Sequence, residues 1–300
     1  MIIASRALEM YNPSMKFEID PQICTNCGIC ISECPSKTIR REKDSARIMS
    51  EGCIECSHCG MVCPVNAVRV DGKELPGYPE DVTQLTTEEL QDHLMLSKRS
   101  VRHYKSAPIN KEDLKSIIKI GETTATATNS QYCDALLFHG PEVPVLAADL
   151  ARILLKVVRI GQNPLGRLLL KAGGLGRYAK KEVITGFYQL LKQTVDGKAD
   201  PLFHRAPTVV VLTYPAKRGK RFGRTDCALA GENMMLSAHA RGIGSCMIGF
   251  AESALYSKKH RAKIGIPEDR KIGLIFTLGY PDKKYSRYPV RESWDINLSD

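Results

Sequence analysis

The sequence predicts an α+β protein in two parts, a small cysteine-rich module and a larger domain of mixed helices and strands. A cysteine motif occurs twice within residues 24–64, and a stretch rich in Gly and Pro follows it at 72–79. Beyond that stretch, short apolar runs typical of buried strands alternate with amphipathic segments typical of helices. The expected boundaries are 16–72 for the module, 73–85 for a linker and 86–300 for the larger domain.

The cysteine motif repeats at an offset of 29 residues, from Cys24 to Cys53. Each copy contains three cysteines separated by two residues, then three residues, a fourth cysteine and a proline. Three closely spaced thiolates can bind three irons of one cubane cluster, whereas the fourth lies too far along and ligates the other cluster. The predicted ligands are Cys24, Cys27, Cys30 and Cys63 for cluster one, and Cys53, Cys56, Cys59 and Cys34 for cluster two.

Zinc and disulfide bonds are the alternative uses of so many cysteines. Zinc sites usually combine one C-x-x-C pair with a distant second pair, whereas both runs here are triplets followed by Cys-Pro. The spacing therefore favours two [4Fe–4S] clusters. Over roughly residues 16–72 the chain resembles the bacterial two-cluster ferredoxins. His58, inside the second triplet, is expected to be a surface residue, because the ligand set is complete without it.

Composition and charge restrict the function classes. The formal net charge is +10, which can indicate nucleic-acid binding. The chain has no nucleic-acid motif and few aromatic residues, and an acidic electron carrier or an anionic cofactor explains the charge equally well. The apolar run Val143–Ile160 contains four charged residues, so we expect an amphipathic helix and no membrane span. The start of the chain lacks a secretory apolar region, so we expect a cytoplasmic protein.

The larger domain is expected to begin with two capped helices. Thr86 and Glu89 fit a capping box, and Asn110 is placed to cap a second helix that ends near Gly121. The small polar residues 122–131 suit a loop that lines a ligand.

The remaining elements follow from apolar patterning. The stretch 144–200 is mostly helical, broken at Pro164 and at Gly173-Gly174, and is expected to be an insertion or a lid. A long, largely apolar helix is expected to end at Gly242 and to lie in the core or at a subunit interface. The predicted buried strands are Ala135–Phe138, Val209–Leu212 and Ile272–Tyr280, and the long helix is Thr225–Arg241.

A cluster of cations lies at the start of this domain. Lys98, Arg99, Ser100 and Arg102 offer three positive charges and a hydroxyl within five residues, a set that suits a phosphate. Four further motifs follow in order along the chain. They are N-S-Q at 129–131, R-G-I-G-S-C-M-I-G-F at 241–250, I-G-I-P-E at 264–268 and L-G-Y-P at 278–281. Their order resembles that of the nitroreductase family of flavin enzymes over roughly residues 86–295.

The resemblance implies a central, mostly antiparallel sheet flanked by helices, and a homodimer with non-covalent FMN at the subunit interface. It implies that the cationic cluster holds the FMN phosphate and ribityl chain, and that Asn129 and Gln131 reach the flavin ring. It places backbone groups near Gly249 against the isoalloxazine and Arg287 on the phosphate. The family often has Pro-Trp where this chain has Tyr132-Cys133, so its substrate pocket does not transfer.

Together the two resemblances imply a fusion in which clusters pass single electrons to FMN, which reduces a small organic acceptor by two electrons. Nitroaromatics, quinones and activated alkenes are candidate acceptors, and no catalytic side chain is required beyond the flavin. Reduced ferredoxin or NAD(P)H is the expected donor. The alternatives are reductive dehalogenation on the same scaffold, or a module that delivers electrons to a partner protein.

Overall fold

The computed structural model describes residues 15–170, 181–255 and 257–291, so the predicted break at Gly173-Gly174 lies outside the described residues. The chain forms two compact units. The first comprises Met1–Lys98 together with Lys283–Asp300, and the second comprises Arg99–Asp282. This division differs from the predicted one, which assigned the C-terminal residues to the larger domain.

The first unit is a structural duplication. Its first copy contains β1 (Phe17–Ile19), α1 (Ile29–Glu33) and β2 (Ile39–Arg41), and its second copy contains β3 (Ala46–Ile48), α2 (His58–Met61) and β4 (Val68–Val70). The strands of the second copy begin 29 residues after those of the first. β1 pairs antiparallel with β4, and β2 with β3. Each sheet therefore contains one strand from each copy. β5 (Lys73–Glu74) pairs with β4 and extends the sheet that contains β1.

The duplication extends to the backbone of the cysteine loops. Three pairs of positions separated by 29 residues have positive φ angles, in a region that residues other than glycine rarely adopt. The pairs are Asn26 and Glu55 (53° and 52°), Gly28 and Ser57 (81° and 64°), and Lys37 and Asn66 (54° and 53°). The cysteine spacing therefore imposes one loop conformation twice, although five of the six residues are not glycine.

The C-terminal segment 285–290 belongs to the first unit through its contacts with the cysteine module. The Tyr285 hydroxyl hydrogen-bonds Glu33 Oε1 at 2.7 Å. Val290 is 2% exposed and lies in the core cluster that contains Phe17, Met61 and Val70. These buried contacts explain why the C-terminal segment belongs to the first unit and not to the larger domain.

Helix α3 (Thr87–Ser97) also belongs to the first unit. Its predicted capping box is present, because the Glu89 amide donates to Thr86 Oγ1 and the Thr86 amide donates to Glu89 Oε2. The helix contacts the C-terminal segment, since His93 Nδ1 lies 2.6 Å from the hydroxyl of Tyr288, a residue that is 1% exposed.

The second unit is built on a four-stranded antiparallel sheet. The strand order is β6-β7-β9-β8, with β6 at Asp134–His139, β7 at Thr208–Pro215, β8 at Gly244–Met247 and β9 at Arg270–Gly279. The predicted strands are therefore present. The expectation that Ala135–Phe138 is buried was wrong, because β6 is an edge strand and Leu137 is 36% exposed.

Helices cover both faces of this sheet. Val209 and Val211 of β7 pack in one core cluster with α5 and α7, whereas Val210 and Leu212 pack in the other with α4 and α8. The helices are α4 (Lys111–Glu122), α5 (Glu142–Ile160), α6 (Pro164–Leu170), α7 (Lys181–Val195), α8 (Gly223–Ala240), α9 (Gly249–Ala254) and α10 (Lys258–Lys263). Both faces of β7 are buried, as expected for a central strand.

Helices α5 and α7 do not form the lid that was one of the two expectations for residues 144–200. Leu150 and Leu191 are fully buried in the same cluster as the sheet, so these helices form a layer of the core. Helix α8 ends as expected, because Arg241 follows it and Gly242 has a φ angle of 70°. Within the described ranges, no helix has the length and apolar character needed to span a membrane.

Candidate functional site

The four cysteines predicted for cluster one line a single cavity. Cys24, Cys27 and Cys30 come from the first copy and Cys63 from the second. Burial, followed by the charges of Cys63, Cys24 and Cys27 in that order, raises the pKa of the Cys30 thiol to about 11. The charge of Cys63, a residue of the second copy, therefore affects Cys30 at least as strongly as the charges of Cys24 and Cys27 from its own copy.

A second cavity is lined by the other four cysteines, Cys34, Cys53, Cys56 and Cys59. Burial is the main cause of a strongly raised pKa at Cys59, and the charge of Cys56 adds to it. His58 also lines this cavity, but it is 5% exposed, with Nδ1 3.3 Å from the Cys56 carbonyl oxygen. The expectation that His58 lies on the surface was wrong.

The donor sets of both cavities fit iron–sulfur clusters. Four cysteine sulfurs line each cavity, and coordinated iron supplies the positive charge that thiolates require. Among the described residues, no group of three or more His, Cys, Asp or Glu side chains has the geometry to hold a single metal ion. The cysteines of each set surround a cavity instead.

The cationic motif is divided between the two units. Lys98 caps the C-terminus of α3 in the first unit, whereas Arg99, Ser100 and Arg102 begin the second. Ser100 forms a parallel bridge with Ser245 of β8, which places Ser100 beside the sheet. Arg102 Nη1 donates to the Ser100 carbonyl oxygen at 3.3 Å.

Sequence reasoning missed a histidine that lies near Arg102. Burial and the nearby charges of Arg102 and His103 lower the pKa of His204 to about 4. His204 also has a φ angle of 57°, so its backbone is held in a disfavoured conformation. Since His204 follows the motif by about a hundred residues, only the fold reveals that it lies near Arg102, whose positive charge suits an anion.

The predicted flavin-loop residues lie together. Gln131 Nε2 donates to Asn129 Oδ1 at 2.8 Å. The φ angles of Thr128, Asn129 and Gln131 are 54°, 51° and 46°, so the loop carries three non-glycine residues in the left-handed region. The Ala127 amide donates to Asp226 Oδ1 at 3.3 Å, which anchors the loop to α8.

Gly249 lies at the start of α9, directly after β8. A Cβ atom at this position would meet nothing within 4 Å, so the backbone here faces open space. Met247 and Phe250, on either side, are each 50% exposed. Open backbone flanked by exposed apolar side chains suits a planar aromatic ring.

Arg287 lies in the first unit, where the structure gives it another partner. Its Nη1 donates to the Cys63 carbonyl oxygen at 2.5 Å and to Ser286 Oγ at 3.2 Å. The structure therefore groups Arg287 with a cluster-one cysteine, and its role at the FMN phosphate stays a prediction.

Residues 95–280 match the model of the nitroreductase family, and residues 16–64 match that of the 4Fe-4S dicluster domain. The first match covers more than half of the chain. The chain therefore belongs to the nitroreductase family, and its cysteine module is a 4Fe-4S dicluster domain. The predicted family resemblance and fold class are confirmed, and both matches support iron–sulfur clusters and a flavin as cofactors.

Individual similar proteins cover separate parts of the chain. A nitroreductase with bound FMN from Bacteroides fragilis NCTC 9343 superposes with a TM-score of 0.50 at 21% identity, covering 72% of this chain and 100% of that one. This similarity shows the fold of the part of the chain that it covers.

Curated relatives match over short stretches. RNA polymerase subunit Rpo3 of Methanosarcina mazei is 45% identical over 51 residues, 16% of this chain and 19% of that protein. A putative NADH dehydrogenase/NAD(P)H nitroreductase of Archaeoglobus fulgidus is 36% identical over 70 residues, 23% of this chain and 40% of that protein. The chain thus spans less than half the length of either relative.

Proposed function

We propose that the protein is an FMN-dependent oxidoreductase in which two [4Fe–4S] clusters supply electrons to the flavin. The observation that carries the proposal is the pair of cysteine-lined cavities, each completed by a cysteine from the other copy. Membership of the nitroreductase family supports the flavin, and such a cofactor converts single electrons into two-electron reduction.

The cysteine residues would hold the clusters in the sets that line the two cavities. Each set binds as thiolates, so assembly releases the protons of thiols whose pKa burial raises, as at Cys30 and Cys59. Because Cys34 and Cys63 cross between the copies, each cluster would tie both copies together, and cluster binding would stabilise the fold of the module.

The FMN phosphate would lie at Ser100 and Arg102, with Lys98 and Arg99 as further cations. His204 adds to this set, because a bound phosphate would oppose the effects of burial and of the Arg102 and His103 charges that lower the pKa of His204. Asn129 and Gln131 would then hydrogen-bond the ring edge, and the open backbone at Gly249 would face the ring.

A small oxidised molecule, such as a nitroaromatic, a quinone or an activated alkene, would be the acceptor. Reduced ferredoxin or NAD(P)H would be the donor. A homodimer also belongs to the proposal, since Leu229 on α8 and Phe250 on α9 are each 50% exposed and apolar. A cytoplasmic location fits clusters that require reduced thiols.

Phosphate recognition is tested by Arg102→Ala, with Arg152→Ala as a matched control on the exposed side of α5. Loss of a charge-assisted phosphate contact should weaken FMN binding about ten- to a hundredfold, or about 1.5–3 kcal/mol. Arg152→Ala should bind FMN as the unmodified protein does. Normal FMN affinity in Arg102→Ala would show that the phosphate assignment is wrong.

The enzyme assignment is tested by anaerobic reduction of the holo-protein with NADH, NADPH or reduced ferredoxin, followed by a panel of acceptors. Flavin that is bleached by a donor and reoxidised by a free acceptor supports the oxidoreductase. A flavin that is reduced but reoxidised only by a protein partner would favour an electron-transfer module instead.

A further inference from the structure

Two cysteines outside the cluster cavities lie in contact. Cys133, just before β6, and Cys227, in α8, have their Sγ atoms 3.6 Å apart. Cys227 is fully buried and Cys133 is half-buried, so solvent reaches the pair from the Cys133 side. A disulfide needs an S–S distance of about 2.05 Å, so the two sulfurs must close by about 1.5 Å.

The surroundings make Cys133 the more reactive member of the pair. The Cys227 thiol donates a hydrogen bond to Cys133, which lowers the pKa of Cys133 and raises that of Cys227. The guanidinium of Arg270 lies close by, since it donates to the Tyr132 carbonyl oxygen at 2.8 Å. An accessible thiolate beside a second, resolving thiol is the arrangement found in redox-sensitive cysteine pairs.

The pair is connected to the loop at 127–131. Asp226, which precedes Cys227, accepts the Ala127 amide, and the loop runs directly into Tyr132 and Cys133. Both ends of the loop are therefore attached to the elements that carry the two sulfurs. Because the loop already holds disfavoured φ angles, a small displacement at either attachment will change its conformation.

We propose that Cys133 and Cys227 form a reversible disulfide that controls the conformation of loop 127–131. The oxidant is a small-molecule disulfide. The Cys133 thiolate attacks one of its sulfurs and releases the first thiolate, which takes the proton of Cys227. The Cys227 thiolate then attacks the Cys133 sulfur of the mixed disulfide and releases the second thiolate, which takes from solvent the proton that Cys133 had lost. The two electrons of the cysteine pair thereby reduce the oxidant to two thiols.

The test begins with disulfide formation in the anaerobic holo-protein. The protein is equilibrated with glutathione disulfide and glutathione at several ratios, alkylated, digested and analysed by mass spectrometry. We expect a linked Cys133–Cys227 peptide that disappears under reducing conditions, with iron content unchanged. Cys246→Ser, which alters the third cysteine outside the clusters, should retain the linkage, and Cys133→Ser should lose it. If iron is retained but no linked peptide forms at any ratio, the proposal is wrong.

Control of the loop is measured by FMN affinity before and after oxidation. We expect a change of about fivefold or more in the unmodified protein and none in Cys133→Ser. This readout rests on the proposed function, whereas the disulfide does not. A disulfide that forms without changing FMN affinity overturns the switch. Failure of either form to bind FMN overturns the proposed function, and hydrogen exchange of residues 127–131 then decides whether the disulfide moves the loop.

Discussion

The two copies of the cysteine repeat share one backbone but are supported by different parts of the chain. In the first copy, Arg41 Nη1 donates to the Asn26 carbonyl oxygen at 2.5 Å and to its Oδ1 at 3.1 Å. In the second copy, the Val290 amide donates to Ser57 Oγ at 3.2 Å. The first support comes from a neighbouring strand of the module, and the second from the C-terminal segment.

This difference shows what the ligand spacing determines and what it does not. The spacing fixes the φ angles of both loops, so the equivalent positions Gly28 and Ser57 share a left-handed conformation. It does not determine what packs against each loop. Ser57 is 1% exposed, whereas Cys27 of the first copy is exposed. The second cysteine loop is therefore buried at Ser57, beside residue 290, whereas the first loop is exposed at Cys27.

The largest expected effect comes from removing a cysteine that one copy supplies to the cluster of the other copy. Cys34→Ser should remove cluster two, although Cys34 lies in the first copy, and should lower iron from about eight to about four atoms per chain. Cys56→Ser should leave the same remaining cluster, and Cys27→Ser the other one. Iron and sulfide content with electron paramagnetic resonance spectra will check this. If Cys34→Ser and Cys27→Ser leave the same cluster, the crossed ligand sets are wrong.

A smaller effect is expected from removing the support of the second copy. Ser57→Ala deletes the hydroxyl that pairs with Val290, leaving the buried Val290 amide without its partner. The free energy of unfolding of the first unit should fall by about 1–3 kcal/mol. Denaturant titration of the holo-protein, monitored by cluster absorbance, measures it. Unchanged stability would mean that the C-terminal segment does not support this loop.

The smallest effect is expected in the first copy. Arg41 lies at the surface, so solvent screens its contacts with Asn26. Arg41→Ala should therefore lower the stability of the first unit by less than about 1 kcal/mol, in the same titration. A loss equal to or greater than that of Ser57→Ala would reverse the comparison between the copies.

Local features were predictable from sequence, and distant contacts were not. The capping box depends on Thr86 and Glu89, which are three positions apart. The repeated cysteine spacing, which is also local, predicts that the two loops share one geometry. The contact between Val290 and Ser57 joins residues that are 233 positions apart, and no local pattern announces it. A domain boundary drawn from composition therefore placed the C-terminal residues in the wrong compact unit.

The same contrast between local patterns and distant contacts applies to the candidate flavin-binding residues. The cationic motif is contiguous, so its pattern is visible in the sequence and its role stays a prediction, whereas His204 comes near Arg102 only through the fold. Burial of strands was predicted from apolar composition alone. That was correct for β7 in the centre of the sheet and wrong for β6, since strand order, which decides the edge, is not encoded in either strand.

The central claim is that the clusters feed the flavin, and donor-driven flavin reduction in Cys56→Ser tests it most directly. Iron and FMN content are measured first, and flavin bleaching by reduced ferredoxin or NAD(P)H is then followed anaerobically beside the unmodified protein. We expect Cys56→Ser to retain FMN and to reoxidise normally after chemical reduction, while donor-driven bleaching slows about tenfold or more, equivalent to about 1.4 kcal/mol. Bleaching at the unmodified rate, in protein that has lost cluster two and kept FMN, would contradict the account.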